Sequence, residues 1–139
     1  HDNLGIINLE TLIKKSSNVG AARVALSIPR EKYWQYMSDL GFGSRVGTGY
    51  PGESTGRLAP YEKWAKIDQA TLSFGYGISV TALQLAQAFA ALADDGRLRS
   101  PTLVMGAVNP PGSVLDRAVA RLVASMLEPV PGPGGTGPG

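Results

Sequence analysis

The sequence has no cysteine, and its single histidine is the first residue. Without cysteine, this chain can form no disulfide, has no thiol nucleophile and offers no thiolate ligand for zinc. A single histidine at a chain end, where fraying is expected, also excludes a Ser-His-Asp triad and a histidine-based metal centre built by this chain. We therefore expect neither a metal nor a cofactor.

Long apolar runs and strong net charge are missing as well. No run of about eighteen apolar residues occurs, so no segment of this sequence is expected to span a membrane. The formal net charge is only +2 and the basic residues are scattered, which argues against a nucleic-acid partner. Gly41-x-Gly43 follows a helical pattern rather than a strand, and no Gly-Lys-Ser or Gly-Lys-Thr is present. Neither a dinucleotide-binding loop nor a P-loop is predicted.

Helical spacing of apolar residues dominates the first third of the chain. Asn8 is suited to cap a short helix that runs through Lys15, and a second apolar run extends to about Ile28. Pro29 stands where a third helix begins, and Gly41 supplies its left-handed stop. These signals predict three helices that follow one another closely.

The clearest predicted element is a helix from Thr81 to Asp95. Thr81 and Gln84 form a capping box, in which the hydroxyl accepts from the Gln84 backbone and the glutamine side chain returns to the Thr81 backbone. Several apolar residues share one helical face, and we expect this face to be buried, so that aspartate at position 85 or 89 would unfold the domain. The predicted buried face comprises Ala82, Leu85, Ala86, Phe89, Ala90 and Ala93.

The remaining patterns are shorter. Alternating small and aromatic residues at 73–77 predict a tight, buried connection. Residues 101–105 are a candidate for a short strand, and Asp116 resembles a helix start. Residues 131–139 are too rich in glycine and proline to order themselves. We predict a helical body at residues 1–130, followed by a flexible tail.

Polar side chains suited to chemistry stand at the corner between the first two predicted helices, at Ser16, Ser17 and Asn18. Serine and asparagine commonly cap helices and form turns, which is the ordinary interpretation of such a corner. Serine chemistry with lysine as the base is the one nucleophilic scheme that the composition favours. Lys14 and Lys15 adjoin Ser16, but adjacent positions on a helix point apart.

Three segments resemble, in order and spacing, the transpeptidase domain of class B penicillin-binding proteins. They are Lys-Ser-Ser-Asn-Val-Gly at 15–20, Tyr-Pro-Gly-Glu at 50–53, and Thr-Leu-Ser-Phe-Gly-Tyr-Gly-Ile-Ser-Val-Thr at 71–81, which runs into the alanine-rich helix. The resemblance covers residues 4–136 and is greatest to the septal division enzymes of Gram-negative bacteria, the subfamily called penicillin-binding protein 3. It implies that this mostly α fragment belongs to an α/β parent domain of the β-lactamase type, an antiparallel sheet flanked by helices.

That family carries three motifs, of which only the middle one is present. No serine here has a lysine three residues on, and no lysine is followed by Thr-Gly or Ser-Gly. The resemblance implies that Ser16 would hydrogen-bond the lysine of the missing first motif and relay a proton to the leaving D-alanine. It also implies that Asn18 would orient the amide of a stem peptide or a β-lactam, and that Tyr76 would contribute to substrate binding.

We therefore interpret the sequence as the central part of a peptidoglycan D,D-transpeptidase that cross-links septal cell wall through a serine acyl-enzyme and binds β-lactams. This chain alone is expected to be inactive. The partners implied for the parent are D-Ala-D-Ala stem peptides, β-lactams and divisome proteins, at the periplasmic face of the inner membrane, with a membrane anchor upstream. Two alternatives stay open: a helical interaction module that has lost the chemistry, and a serine hydrolase that uses Lys14 or Lys15.

Overall fold

The computed structural model describes residues 5–132 and 134–136. Within these ranges helix far exceeds strand, so the prediction of a mostly helical fragment is confirmed. The helices are α1 (Leu9–Lys14), α2 (Asn18–Ser27), α3 (Arg30–Asp39), a 3-10 turn (Tyr61–Lys63), α4 (Lys66–Leu72), α5 (Ala82–Ala93) and α6 (Arg117–Leu127). The strands are β1 (Arg57–Leu58), β2 (Ile78–Ser79), β3 (Arg97–Leu98) and β4 (Gly112–Ser113).

The caps of the first three helices follow the sequence signals. Asn8 accepts a hydrogen bond from the backbone N–H of Thr11 at 2.8 Å and caps α1. α2 ends one residue before Ile28, and Pro29 directly precedes α3. Gly41 follows α3 with a φ of 92°, which a residue without a side chain adopts freely. The predicted boundaries are confirmed within two residues because each depends on local backbone chemistry.

The predicted capping box of α5 is present. The Gln84 backbone N–H donates to the Thr81 hydroxyl at 3.1 Å, and the Thr81 N–H donates to the Gln84 side-chain oxygen at 2.9 Å. Gln84 is fully buried, and its Nε2 also donates to the carbonyls of Ser44 and Thr55 at 2.7 and 2.8 Å. One side chain thus joins the start of α5 to both ends of the glycine-rich loop.

Between these two ends the loop closes around a carboxylate. Glu53 accepts hydrogen bonds from the backbone N–H groups of Val46, Gly47 and Thr48 and from the Thr48 hydroxyl. Desolvation raises the pKa of this carboxyl, but the hydrogen bonds together outweigh it and hold the pKa of Glu53 below its ordinary value. The ionised form of Glu53 is therefore part of the loop structure.

The predicted orientation of α5 is wrong. Leu85 is 45% exposed and Phe89 is 53% exposed, and the alanines predicted to share their buried face are exposed too. The buried face carries both glutamines of the helix, Gln84 and Gln87, so apolar spacing pointed to the wrong face. The argument that aspartate at either position would unfold the domain therefore does not hold for this chain. The buried residues of α5 are Gln84, Gln87, Ala88 and Ala91.

The predicted strand at 101–105 is also wrong, because those residues form bends and turns. The carbonyl of Gly96 accepts from Val114 and Leu115 at 2.9 and 3.1 Å, and this contact aligns β4 with β3 instead. The strands form two separate antiparallel pairs. The registers are Arg57↔Ser79 and Leu58↔Ile78 in one pair, and Arg97↔Ser113 and Leu98↔Gly112 in the other.

The acidic end of α5 is joined to its neighbours by ion pairs. Asp95, which has a φ of 56°, contacts two arginines of α6, and Asp94 contacts two arginines in and after β3. Hydrogen bonds from these arginines lower the pKa of both carboxyls. The distances are 2.5 Å for Asp94–Arg97, 2.9 Å for Asp94–Arg99, 3.0 Å for Asp95–Arg117 and 2.7 Å for Asp95–Arg121.

The hydrophobic core of the described residues is small. Half of its members are alanines, which remove little apolar area from water. The larger members come from the loops and short helices around α4 and α5. The buried apolar residues are Ala25, Phe42, Val46, Trp64, Leu72, Ala88, Ala91 and Ala120.

We predict that Gln84→Leu lowers the free energy of unfolding by about 2–4 kcal/mol, because it leaves the Ser44 and Thr55 carbonyls and the Thr81 N–H without partners. The matched control is Gln35→Leu, since Gln35 is exposed and its amide donates only to the Asp39 carboxylate, at 2.7 Å. The control should change stability by less than about 0.5 kcal/mol. Urea unfolding followed by circular dichroism measures both, and equal losses would contradict the bridging role of Gln84.

The Glu53 loop should open in acid. Because the folded state holds the pKa below the ordinary value, the stabilisation is present above that value and is lost as pH falls through the folded pKa. We expect the amide resonances of Val46, Gly47 and Thr48 to shift together in an NMR titration from neutral to acidic pH, with a midpoint below 4.5. In Glu53→Gln this transition should be absent, and its persistence would assign it to another group.

Candidate functional site

The corner between α1 and α2 is built by a specific helix ending. The Ser16 N–H donates to the Ile13 carbonyl at 3.0 Å, and the Ser17 N–H donates to the Leu12 carbonyl at 3.1 Å. This pair of bonds is the Schellman arrangement, which requires a left-handed residue after the helix. Ser16 holds that position with a φ of 50°. Glycine usually occupies it, and a serine there is strained.

The next residues begin α2. The Ser17 hydroxyl accepts from the Gly20 N–H at 3.2 Å and caps the helix, and Ser17 is half-buried. A β-carbon at position 20 would lie 2.7 Å from Cδ1 of Leu12, so a larger residue there would require the Leu12 side chain to shift. Ser17 and Gly20 therefore provide the local structure of the motif.

Ser16 and Asn18 take no part in that structure through their side chains. Both are exposed, and no residue in the described part of the chain hydrogen-bonds to the Ser16 hydroxyl or the Asn18 amide. The structure thus presents a free hydroxyl and a free amide, two residues apart. Lys14 and Lys15 form no hydrogen bond with Ser16 in the same described ranges, in keeping with the expectation that they point elsewhere.

Tyr76 lies in the loop between α4 and β2. Nε2 of Gln69 in α4 donates to the carbonyls of Ala25 and Ile28 at 2.8 and 2.7 Å, which fastens α4 to the end of α2. Tyr76 is 73% exposed, so the connection at 73–77 is not buried as predicted. No hydrogen bond links Tyr76 to the Ser16 corner within the described residues.

Phe74 is a candidate that sequence reasoning missed. Its ring lies 6.4 Å from the ring of Tyr76 at an interplanar angle of 66°, and both rings face solvent. Gly75 and Gly77 adopt positive φ angles of 93° and 79°, which turn the chain so that both rings emerge. The alternation of glycine and aromatic residues in the sequence could have identified Phe74. Because both rings are exposed, the pattern indicates a surface pair of aromatic residues rather than a buried connection.

A cleft of about 510 Å³ lies beside this segment and contains none of Ser16, Asn18 and Tyr76. Its walls come from the 3-10 turn, α4 and both strands of the first pair, including Trp64 and Leu72. In residues 5–132 and 134–136, no three metal-ligating side chains converge. No helix in those ranges has the length and apolar character needed to cross a bilayer.

The family model of the penicillin binding protein transpeptidase domain matches this chain over residues 1–139. This chain belongs to the penicillin-binding protein transpeptidase family. The match confirms the family resemblance found in the sequence. It also agrees with the expected α/β transpeptidase-like parent fold.

Two relatives of the chain are named as peptidoglycan D,D-transpeptidases. It is 38% identical over 132 residues to the probable peptidoglycan D,D-transpeptidase PenA of Neisseria meningitidis, covering 94% of this chain and 23% of that protein. It is 36% identical over 132 residues to the peptidoglycan D,D-transpeptidase FtsI of Escherichia coli K12, covering 94% of this chain and 22% of that one. The chain thus spans less than a quarter of the length of either relative.

A solved structure of the family has the same arrangement of elements. The transpeptidase domain of penicillin-binding protein 3 from Burkholderia pseudomallei superposes with a TM-score of 0.90 at 38% identity. The superposition covers 97% of this chain and 42% of that one. The helices of this penicillin-binding protein segment are therefore arranged as they are inside a larger transpeptidase domain.

Neighbouring serines in this motif should affect stability in opposite directions. Ser17→Ala removes the cap of α2 and should cost about 1 kcal/mol. Ser16→Gly relieves the left-handed strain and should stabilise the chain by up to about 1 kcal/mol. Thermal unfolding of the two variants measures this difference. A loss of stability in Ser16→Gly would mean that the Ser16 side chain has a structural role that the corner geometry does not show.

Proposed function

We propose that this chain is the central part of a septal-type peptidoglycan D,D-transpeptidase that binds β-lactams, and that Ser16 and Asn18 face its catalytic groove. The single observation that carries the proposal is the free hydroxyl and free amide at the corner. The left-handed backbone of Ser16 supports it, because strained residues that persist without a packing role are concentrated at functional sites. Family membership supplies the reaction class.

The proposed reaction is acyl transfer through a covalent serine intermediate. A serine outside this chain attacks the carbonyl of a D-Ala-D-Ala peptide, D-alanine leaves with a proton, and an amine of a second stem peptide receives the acyl group. The Ser16 hydroxyl accepts a hydrogen bond from a lysine outside this chain and passes the proton onward. The Asn18 amide N–H donates to a carbonyl of the bound peptide, and thereby orients it.

Tyr76 has a supporting place in the proposal. Its exposed ring and that of Phe74 form a small apolar surface that suits the non-polar part of a peptide or a β-lactam. Gln69 anchors α4, which precedes this surface in the chain, to the end of α2, the helix that begins at Asn18. This arrangement favours Tyr76 as a substrate contact rather than a core residue.

The end of the chain also supports the proposal. A β-carbon on Gly134 would lie 3.8 Å from Cε of Lys14, so Gly134 lies beside the Lys14 side chain at the end of α1. The Gly-Gly-Thr sequence of residues 134–136 resembles the family's approach to the Lys-Thr-Gly strand. A strand continuing from there would begin near the Ser16 corner. The rest of the predicted tail, at 133 and 137–139, lies outside the described residues.

The remaining parts of the proposal concern the whole protein. The chain alone lacks the nucleophile and the Lys-Thr-Gly motif, so we propose that it is inactive by itself. Division at the septum, the periplasmic face of the inner membrane, an upstream anchor and divisome partners are proposed for the parent from its likeness to FtsI and PenA. The second candidate, a helical interaction module without chemistry, is favoured by the exposed apolar face of α5.

A chimera tests the proposal. This chain would replace the matching segment of the Burkholderia pseudomallei transpeptidase domain, and acylation by a fluorescent penicillin would be timed on gels. We expect Ser16→Ala and Asn18→Ala to slow acylation by about 10²-fold or more, since general acid–base assistance contributes at this level. The control Ser125→Ala, at an exposed serine of α6, should acylate at the parental rate.

The isolated chain should not be labelled in the same assay. A stoichiometric adduct on the isolated chain would instead support the serine hydrolase that uses Lys14 or Lys15. Unchanged acylation in both corner variants of a labelled chimera would remove the proposed roles of Ser16 and Asn18. A chimera that folds but is not labelled would favour the interaction module.

A further inference from the structure

The cleft beside the first strand pair takes no part in the proposed reaction, and we call it the Trp64 cleft. Its volume of about 510 Å³ is within the range of pockets that bind small molecules. Trp64 and Leu72 line it and are each only 6% exposed, so they form its floor. Since Ser16, Asn18 and Tyr76 do not line it, a ligand bound here occupies a site separate from the Ser-Ser-Asn corner.

The floor of the cleft is held in place by contacts within the chain. The Trp64 indole N–H donates to the Ala59 carbonyl at 3.0 Å, and the Tyr33 ring packs against the indole with the ring centroids 6.0 Å apart and the planes at 70°. The Trp64 carbonyl accepts from Nη1 of Arg30 at 3.3 Å. Because these contacts already fix the indole, a flat apolar group can pack on it without first having to order the site.

Exposed polar residues form the rim of the cleft, and two of them stand side by side. Arg57 in β1 and Ser79 in β2 are direct partners across the strand pair, and both line the cleft. Side chains of direct partners project from the same face, with β-carbons about 5 Å apart. Within residues 5–132 and 134–136, neither the Arg57 guanidinium nor the Ser79 hydroxyl makes a hydrogen bond or an ion pair. These free donors suit a carboxylate, which accepts from a guanidinium and a hydroxyl together.

The charge of the rim distinguishes between classes of anion. Lys63 in the 3-10 turn is a second exposed cation of the rim, and it has no ion pair in the described part of the chain. Asp68 lines the same cleft, and its carboxylate accepts from the Ala65 N–H at 2.8 Å. Arg57, Lys63 and Asp68 together carry a formal charge of +1. One carboxylate balances this charge, whereas a phosphate monoester, with a charge of about −2, exceeds it.

We propose that the Trp64 cleft binds a small molecule that carries one carboxylate on a flat apolar group. The apolar group packs on Trp64 and Leu72. The carboxylate accepts hydrogen bonds from the Arg57 guanidinium and the Ser79 hydroxyl, and the Lys63 ammonium adds attraction at the rim. The inference goes beyond the proposed function, since no residue that is proposed to act in acyl transfer takes part.

An NMR titration of the isotope-labelled chain with β-naphthylacetate tests the site. We expect the Trp64 indole N–H resonance to shift with a dissociation constant of about 1 mM, as is typical of a ligand with about fourteen non-hydrogen atoms. The Trp34 indole does not line the cleft and should not shift, which makes it the internal control. Absence of a Trp64 shift up to about 10 mM would overturn the proposal. Shifts confined to the amides of Ser16 and Asn18 would overturn it as well, because they would place the ligand at the corner.

Charge variants test the contacts of the carboxylate. Arg57→Gln should raise the dissociation constant of β-naphthylacetate about tenfold, because it removes a charged hydrogen-bond donor. Lys63→Gln should raise it about twofold, and Asp68→Asn should lower it about twofold, because they remove an attractive and a repulsive charge at an exposed rim. The matched control is Lys66→Gln, at an exposed lysine of α4 that does not line the cleft, and it should leave the constant unchanged.

Two further probes separate the carboxylate from the apolar group. The neutral analogue β-naphthylethanol should bind the parent chain and Arg57→Gln equally, since it carries no charge for Arg57 to recognise. Equal weakening of β-naphthylacetate by Lys66→Gln and Arg57→Gln would overturn the proposed contact in favour of a general effect of charge. Tighter binding of β-naphthyl phosphate than of β-naphthylacetate would overturn the choice of a carboxylate.

The two proposals fail separately in these experiments. Loss of β-naphthylacetate binding leaves the penicillin labelling expected of the chimera unaffected, so it would reject the cleft and keep the proposed function. Binding of β-naphthylacetate to a chain whose chimera is not labelled would keep the cleft and reject the proposed function.

Discussion

Two buried glutamine amides determine how this chain folds around α5. Gln84 bonds to the carbonyls of Ser44 and Thr55 as well as to the helix start, and Gln87 donates to the Arg99 carbonyl at 2.9 Å. A buried amide without partners is costly, so these bonds fix which side of α5 faces the loop and β3. The apolar side is then left outward, and the chain as a whole keeps a small core and a large exposed area.

Neighbouring residues of the Ser-Ser-Asn corner differ in their structural roles. Ser17 caps α2, whereas the side chains of Ser16 and Asn18 make no hydrogen bond within the described residues. The backbone of Ser16 is left-handed, a conformation that is strained for serine and that glycine would adopt without strain. A free hydroxyl on a strained turn contributes little to stability, as is common where function and stability compete.

Both the fold and the candidate site lack groups that a complete domain of this family would supply. The corner offers a hydroxyl and an amide but no nucleophile, and α5 offers an apolar face without a covering layer. Both deficits are explained if this family member is read as the central part of a domain more than twice its length.

Sequence alone determined the features that depend on neighbouring residues: the caps at Asn8 and Thr81, the stop at Gly41 and the family motif around Ser16. Each arises within a few residues, where backbone chemistry leaves few choices. Only the tertiary structure decided the inward face of α5, the pairing of β3 with β4 and the exposure of Tyr76 beside Phe74. The partners of Gln84 lie 29 and 40 residues away, and the helical spacing of apolar residues does not indicate that such distant carbonyls will bury the glutamine face.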